Sequence, residues 1–287
     1  MSKQLLFYEN AVPVSSSRHR DWSVKTGKNY EYAKLTNSVP LMAVEFPNAA
    51  REYPMVFAQA GDDVVPVAIL GIGDEHNLFV DSDGNWKAKY IPAFVRRYPF
   101  VFSTTDDGGT LMLCIDESFS GFNQDGKGER LFDADGERTQ YLGGVLAFVE
   151  EYQAHFKRTQ AFCKKLQELD LFESMQAKVS LNTGKQKSLT GFLGVNRTKL
   201  HALSGDTLSE LAQSGELEMV YIHLQSMKNF SVMIDLVSED SNHPQADQQP
   251  PPPVVENIED IEDIEDIEDI EDIEDIEEGP LQGETIN

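Results

Sequence analysis

The feature that most limits how this chain can fold is an abrupt change in composition near residue 240. Short apolar runs recur from Phe7 up to that point, and the sequence that follows is dominated by Gln, Pro and acidic residues. A hydrophobic core must therefore come from the first 240 residues, a length typical of one large domain or two tightly packed small ones. We predict a globular body over residues 1–240, with two packed subdomains, about 1–138 and 139–240, as an open alternative.

The last 47 residues divide into two segments. Residues 241–257 are rich in Pro and Gln, which predicts an extended linker. From Ile258 the triplet Ile-Glu-Asp occurs six times. A three-residue period makes the isoleucines spiral around a helix instead of forming one apolar face, and neighbouring carboxylates repel each other. We predict that residues 258–287 are disordered, as a solvating tail or as a segment that attracts a basic partner.

The charge of the chain is concentrated in this tail. The formal net charge is −25, but residues 241–287 hold 17 of the 49 acidic residues and none of the 24 basic ones, so the body carries −8. A nucleic-acid-binding protein needs a basic face that displaces counterions from phosphates. Dense basic clusters are limited to residues 18–20 and 96–97. We expect no binding to nucleic acids, and an unknown protein partner stays open.

Apolar stretches are too short to cross a bilayer. No run approaches the roughly 18 consecutive apolar residues that a membrane span needs, and Glu9 interrupts the N-terminus before a signal-like apolar region develops. We therefore expect no membrane insertion and a cytoplasmic location. A surface location would require export by a leaderless route.

Short apolar runs separated by Pro, Gly, Asn and Asp indicate a mainly β N-terminal half. The predicted strands are Leu41–Phe46, Met55–Phe57, Val64–Leu70, Leu78–Val80, Phe100–Phe102 and Leu111–Ile115. Polar segments with a glycine, at residues 81–85 and 133–136, predict tight hairpin turns.

The apolar period changes to that of a helix near Tyr141. One stripe predicts a long amphipathic helix over residues 141–168 that packs on the sheet. Two strands, Met175–Leu181 and Ser188–Val195, and a helix from Asp206/Thr207 to Gly215 are expected next, with Thr207 as its cap. Val220–Leu224 fits either a strand or a helix. The fold class is therefore α+β: a β-rich N-terminal half, a long helix, a smaller β-β-α portion and a disordered tail.

Known local motifs of catalysis and metal binding are missing from the sequence. The acidic and glycine clusters fail the ligand spacing of a calcium loop, and Gly71–Glu75 places acids where a phosphate would need donors. No two histidines are spaced as in a zinc hydrolase, and no Gly-x-Ser-x-Gly elbow occurs. We assign no catalytic residue, metal ligand or cofactor. Cys114 and Cys163 lie in apolar surroundings and are expected to be buried thiols.

The segment from residue 76 to residue 100 has the composition of a recognition site. Two arginines, several aromatic rings, carboxylates and an amide suit the binding of a polar or aromatic group by stacking and bidentate hydrogen bonds. The candidate binding residues are Asn77, Asp81, Trp86, Tyr90, Arg96 and Arg97. The alternative is that the rings belong to the core and that Arg96 or Arg97 pairs with Glu45 or an aspartate to hold the fold.

The same region carries a family resemblance. The segments that carry it are Glu45–Phe46, Tyr53–Phe57, Leu70–Gly71, Asn77–Asp81, Gly84–Trp86, Tyr90–Ala93 and Arg96–Phe100, and those at 116–117, 131–132 with 135–136, 189–191 and 217–230 are similar as well. As a set they resemble the SapC family of bacterial proteins, over about residues 7–236 and without the tail.

The family name derives from a surface-layer locus, so the resemblance implies a link with surface-layer or envelope protein biogenesis. It supplies no catalytic residues. Our leading hypothesis is a SapC-like accessory or binding protein. The alternative is an enzyme, or a partner that presents a substrate to an enzyme, with a pocket around Trp86, Arg96 and Arg97.

Overall fold

A computed structural model describes residues 6–25, 27, 29–72, 77–104, 111–180 and 186–240 of the chain. It confirms the α+β class. The predicted linker and the predicted disordered tail lie outside the described residues.

The strands are β1 Ala11–Pro13, β2 Ser23–Val24, β3 Ser38–Pro40, β4 Met55–Ala60, β5 Asp63–Ile69, β6 Phe100–Thr104, β7 Leu111–Asp116, β8 Phe122–Asn123, β9 Glu129–Arg130, β10 Phe172–Ser180 and β11 Gln186–Val195. The helices are α1 Ser16–His19, α2 Phe46–Ala49, α3 Ala93–Arg96, α4 Gln140–Glu168, α5 Arg197–His201, α6 Gly205–Gln213, α7 Glu216–Ser226 and α8 Asn229–Asp240. Two 3₁₀ turns cover Glu31–Ala33 and Ala43–Glu45.

The strands form three antiparallel sheets. The largest has the order β10-β11-β4-β5-β3, and two three-stranded sheets have the orders β1-β7-β6 and β8-β2-β9. Val64–Ile69 is buried throughout because helices and turns cover β5, which explains its continuous apolar run. The predicted strands at 55–57, 64–70, 100–102 and 111–115 are confirmed.

Helix α4 connects two hydrophobic clusters. The Thr139 hydroxyl accepts a hydrogen bond from the backbone N–H of Leu142 and caps the helix. Leu142 and Val149, in its first half, pack into a cluster with residues of β2, β6 and β7. Its second half packs Phe162 and Leu166 into the larger cluster around β4 and β5. The predicted helix at 141–168 is confirmed, and the division into two subdomains stays a prediction.

Two predicted strands of the N-terminal half are wrong. Leu41–Phe46 forms the 3₁₀ turn and the start of α2, because the Glu45 carboxylate accepts a hydrogen bond from the Met42 backbone N–H at 2.8 Å and closes a tight turn. Pro47 in the first turn of α2 then favours helical backbone. Leu78–Val80 contributes only a single bridge, between Val80 and Trp86.

The C-terminal portion agrees with the predicted β-β-α order and extends it. The cap of α6 is Ser204 and not Thr207, because the Ser204 hydroxyl accepts from the Thr207 backbone N–H at 3.2 Å. Gly215, with φ +77°, separates α6 from α7 as expected. Val220–Leu224, which the sequence left open, lies within α7.

The hairpin of β10 and β11 extends beyond the large sheet. Met175 lies opposite Phe192, but Gln176 lies opposite Thr190, so Gly191 is an extra residue, with φ +82°. Such a bulge bends a strand away from its partner. Strand β11 pairs with β4 only at Phe192 and Leu193. Residues 176–180 and 186–190, here called the outer hairpin, therefore pair only with each other among the described residues.

No helix in the described ranges is long and apolar enough to span a membrane. Cys114 and Cys163 are both buried, as expected, and no disulfide joins them. Burial raises the pKa of the Cys163 thiol to about 12.

Candidate functional site

The Asn77 side chain stabilises its own loop through hydrogen bonds to the backbone. Its side chain is fully buried. The Nδ2 group donates to the carbonyl oxygen of Ala33 at 3.0 Å, and Oδ1 accepts from the backbone N–H of Phe79 at 2.9 Å. The amide therefore joins the 3₁₀ turn at 31–33 to the segment that leads to Trp86.

Asp81 organises the tight turn that the sequence predicted. Its Oδ1 accepts from the backbone N–H groups of Asp83 and Asn85, at 2.9 and 2.8 Å. The bond from Asn85 is the main reason that the pKa of Asp81 lies below its ordinary value. Gly84 adopts φ +80°, a conformation that favours glycine, and a Cβ there would also lie 2.6 Å from Oδ1 of Asn29 and displace that side chain. The carbonyl oxygen of Gly84 accepts from the Tyr30 N–H at 2.7 Å, which holds Tyr30 beside the turn.

A chain of hydrogen bonds fastens Trp86 to the segment around Tyr90. The indole Nε1–H of Trp86 donates to the hydroxyl of Tyr53 at 2.8 Å, and that hydroxyl donates to the carbonyl oxygen of Tyr90. Tyr53 is fully buried, whereas Trp86 is half-buried. The ring of Tyr30 meets the Trp86 ring edge-on, with 5.6 Å between centroids. The indole is therefore fixed in position while part of it faces solvent.

Glu45 holds the next part of the site. Its Oε1 accepts from the Tyr90 hydroxyl at 2.7 Å and from the Ala93 backbone N–H at 2.8 Å, while Oε2 accepts from the Met42 N–H. Burial raises the pKa of this carboxyl, and the three hydrogen bonds and the charge of Arg96 act against that rise. The carboxylate thus links the turn at 43–45 to the start of α3.

Arg96 is the exposed cation of the site. Its Nε donates to the carbonyl oxygen of Ile91 at 3.0 Å, and its guanidinium lies 5.4 Å from the centroid of the Phe148 ring. The pKa values of Tyr30 and Tyr90 are both raised, mainly by burial, and the nearby positive charge of Arg96 partly offsets that rise. In the described ranges Arg96 forms no ion pair, so its charge faces solvent beside aromatic rings.

Arg97 lies in a different environment. Its Cζ is 4.2 Å from the centroid of Phe94, 4.6 Å from that of Tyr152 and 5.7 Å from that of Tyr8. Its Nε is buried and has no hydrogen-bond partner among the described residues. Cation–π packing on three rings, with no ion pair to Glu45 or an aspartate in the described structure, holds this guanidinium.

A known protein family matches the part of the chain that contains all of these site residues. The model of a family described as SapC matches residues 14–233, about three quarters of the chain. The chain belongs to the SapC family. A search of curated proteins and a search of solved structures each found no match.

Within the SapC match, the structure brings together three of the six candidates. Trp86, Tyr90 and Arg96 are joined through Tyr30, Tyr53 and Glu45, and we call this group the Trp86–Arg96 surface. Asn77 and Asp81 support the backbone next to it, and Arg97 packs elsewhere. A binding role for the six residues stays a prediction.

The sequence did not predict three residues that contact the Trp86–Arg96 surface. Tyr30, Tyr53 and Phe148 come from the 3₁₀ region, the segment before β4 and helix α4. Each is an ordinary aromatic residue in its local pattern. Tyr53 lies in a segment that carries the family resemblance, but only tertiary packing places the three residues beside Trp86, Tyr90 and Arg96.

A second polar cluster joins helix α1 to Glu117, also within the residues that the SapC family matches. His19 is fully buried, and its Nδ1 accepts from the Ser15 backbone N–H at 3.1 Å, so its Nε2–H donates to Glu117 at 3.0 Å. Arg18 also pairs with Glu117, at 2.5 Å. These contacts fasten α1 to the end of β7. In the described part of the chain, no group of three or more His, Cys, Asp or Glu side chains is placed to hold a metal ion.

Proposed function

We propose that this SapC family member is a non-catalytic binding or accessory protein that recognises its partner through the Trp86–Arg96 surface. The observation that supports the proposal is the exposed Arg96 guanidinium, which has no ion pair among the described residues and lies beside half-buried rings. The ligand class that fits is an anionic group, a carboxylate or a phosphate, attached to a flat apolar group.

The guanidinium and the aromatic rings of this surface suit the two ends of such a ligand. A guanidinium offers planar donors that match the oxygen pairs of carboxylates and phosphates. Trp and Tyr rings provide flat apolar area that needs little ordering on binding. Since the indole of Trp86 is already held by Tyr53, a ligand would meet a preformed surface.

The cellular setting of the proposal comes from the family name. We propose that the partner is an envelope or surface-layer protein, or a component of its assembly. Cross-linking in intact cells, with recovery of the chain and its attached partners, tests this setting. Partners drawn entirely from cytosolic metabolism would count against it.

The enzyme alternative has one specific observation in its favour. Glu45 is a buried acid with a raised pKa close to an exposed arginine, an arrangement that also occurs in active sites. However, its two oxygens already accept three hydrogen bonds from the protein. These contacts favour a structural role for Glu45, and we keep the binding proposal as the leading one.

Binding of small probes tests the proposed ligand class directly. Isothermal titration with phenyl phosphate and benzoate, and with uncharged benzyl alcohol, measures the need for an anion. We expect saturable binding of the two anions and at least about a tenfold loss of affinity in Arg96→Ala, since a charge-assisted hydrogen bond contributes roughly 1.5–3 kcal/mol.

The matched control is Arg158→Ala, which removes another exposed arginine, on α4. It should bind the anions as the unaltered chain does. Equal affinity of Arg96→Ala and Arg158→Ala would refute the role of Arg96. Failure of both anions to bind the unaltered chain would refute the ligand class.

A further inference from the structure

Residues 6–13, here called the strap, fill a groove that later parts of the chain form. The half-buried ring of Phe7 meets three other rings edge-on. Its centroid lies 5.1 Å from that of Tyr32, 5.4 Å from that of Phe94 and 5.2 Å from that of Tyr98. The groove therefore has a pocket for one aromatic side chain.

Tyr8 is a second aromatic anchor of the strap. Its side chain is buried, and its hydroxyl donates to the carbonyl oxygen of Phe100 at 2.8 Å. The ring also lies 5.7 Å from Cζ of Arg97. A tyrosine fits this position better than a phenylalanine, because only tyrosine supplies the hydrogen-bond donor.

The backbone of the strap is bound as an added strand. The Asp116 carboxylate accepts from the backbone N–H groups of Glu9 and Asn10, at 2.7 and 3.1 Å. Ala11–Pro13 then pairs with β7 in antiparallel register. Since β7 lies between β1 and β6, removal of the strap would leave one edge of β7 open. Strand addition to a sheet edge, with pockets for side chains, is a common way to bind an extended peptide.

The strap and the groove differ in their relation to the SapC family. The family match begins at residue 14, so the strap lies outside it. The residues that the strap contacts, from Tyr32 to Asp116, lie inside it. The groove therefore belongs to the family domain, and residues that precede this domain occupy it here.

We infer that the groove is a peptide-binding site that the strap occupies as an internal ligand. The ligand class is an extended segment of another polypeptide with two adjacent aromatic residues, the second a tyrosine, followed by residues that pair with β7. The strap competes with such a peptide, because its tether gives it an effective concentration on the order of millimolar. This inference does not depend on the Trp86–Arg96 surface.

Fluorescence anisotropy of a labelled peptide with the sequence of residues 6–13 tests the site in the full-length chain. The unaltered chain should bind this peptide weakly, because its own strap fills the groove. Phe7→Ala with Tyr8→Ala should raise the affinity at least about tenfold, since the strap then loses the burial of two aromatic rings. Tyr221→Ala with Val232→Ala, which removes two exposed apolar side chains elsewhere, is the matched control and should leave the affinity unchanged.

Two further changes locate the bound peptide. Tyr98→Ala, added to the strap variant, should remove the gain in affinity. A peptide with phenylalanine in place of its tyrosine should bind the strap variant about fivefold more weakly, because it lacks one hydrogen bond. Equal affinity of the unaltered chain and the strap variant would overturn the inference, and so would a gain that survives Tyr98→Ala.

Hydrogen exchange in the unaltered chain gives a result that does not depend on the folding of any variant. A displaceable strap opens without global unfolding. The backbone amides of Ile69 and Leu70, bonded to Pro54 and Asn37, report on the core. Protection factors of the Glu9 and Asn10 amides should be at least about tenfold lower than those of the two core amides. Equal protection would show that the strap opens only with the whole fold, which would overturn the inference.

Discussion

The imidazole of His223 donates through Nδ1 to the carbonyl oxygen of Met55 at 2.9 Å. Its Nε2 accepts from the backbone N–H of Val195 at 3.1 Å. One side chain of α7 thus bridges β4 and β11, which are neighbours in the large sheet. Only the neutral ring can form the two bonds together, since a protonated imidazole keeps its donors but has no acceptor for the Val195 N–H. Burial lowers the pKa of His223 to about 4, from the ordinary value of 6.5.

Acid should destabilise the fold through His223 from about pH 6.5 downwards. Between pH 6.5 and 4 the unfolded chain binds a proton at this histidine and the folded chain does not. The free energy of unfolding should therefore fall as the pH falls through this window, by up to about 1.4 kcal/mol per pH unit. Urea unfolding at a series of pH values measures the slope. It should be smaller in His223→Gln and unchanged in His155→Gln, and equal slopes in all three proteins would contradict this prediction.

Removal of Arg97 should lower stability more than removal of an ordinary surface arginine. The guanidinium packs on the rings of Phe94 and Tyr152, so Arg97→Ala loses both cation–π energy and buried stem. We expect a loss of about 1–3 kcal/mol and a fall in Tm of several degrees, with little change in Arg158→Ala. Differential scanning calorimetry makes the comparison. An unchanged Tm in Arg97→Ala would favour the ligand-binding role that the sequence predicted.

Alanine should have opposite effects at two glycines. Gly191 adopts φ +82° in the bulge of β11, where a side chain costs about 1–2 kcal/mol even though nothing lies within 4 Å of an added Cβ. Gly143 is exposed in α4, also with nothing within 4 Å. Gly143→Ala should stabilise the chain by up to about 1 kcal/mol, because alanine favours helix. Chemical unfolding of both variants tests the difference, and a neutral Gly191→Ala would show that the bulge can shift.

Neutralising Glu45 should weaken the support of the Trp86–Arg96 surface. In Glu45→Gln one acceptor oxygen becomes an N–H₂ group, which cannot accept from Met42, Ala93 or Tyr90. Leaving a buried donor without a partner costs about 1–3 kcal/mol. Glu150→Gln, on the exposed side of α4, is the control and should leave stability unchanged. Thermal unfolding curves that superimpose for the two variants would contradict the structural role of Glu45.

Local patterns predicted the elements whose shape depends on their own residues. The apolar stripe predicted α4, and the glycines at 84 and 136 predicted turns in which both adopt positive φ. The strand predicted at Leu41–Phe46 failed because the Glu45 side chain closes a turn there, a contact that apolar spacing does not encode.

The candidate site was predictable only in part, for the same reason. Trp86, Tyr90 and Arg96 lie within eleven residues of each other in the sequence, and composition was enough to select them. Their connection depends on Tyr53 and Glu45, which precede them by more than thirty residues. The separation of Arg96 from Arg97 follows from the short helix α3 and from the rings that each meets, and neighbouring positions in a sequence cannot show this.

The long helix α4 has a consequence for how the body melts. Its first half belongs to one hydrophobic cluster and its second half to the other. If either cluster opened alone, it would leave half of a continuous helix exposed and without the packing that stabilises it. We therefore expect loss of order at one end of the body to weaken the other, so that α4 couples the two clusters during heat unfolding.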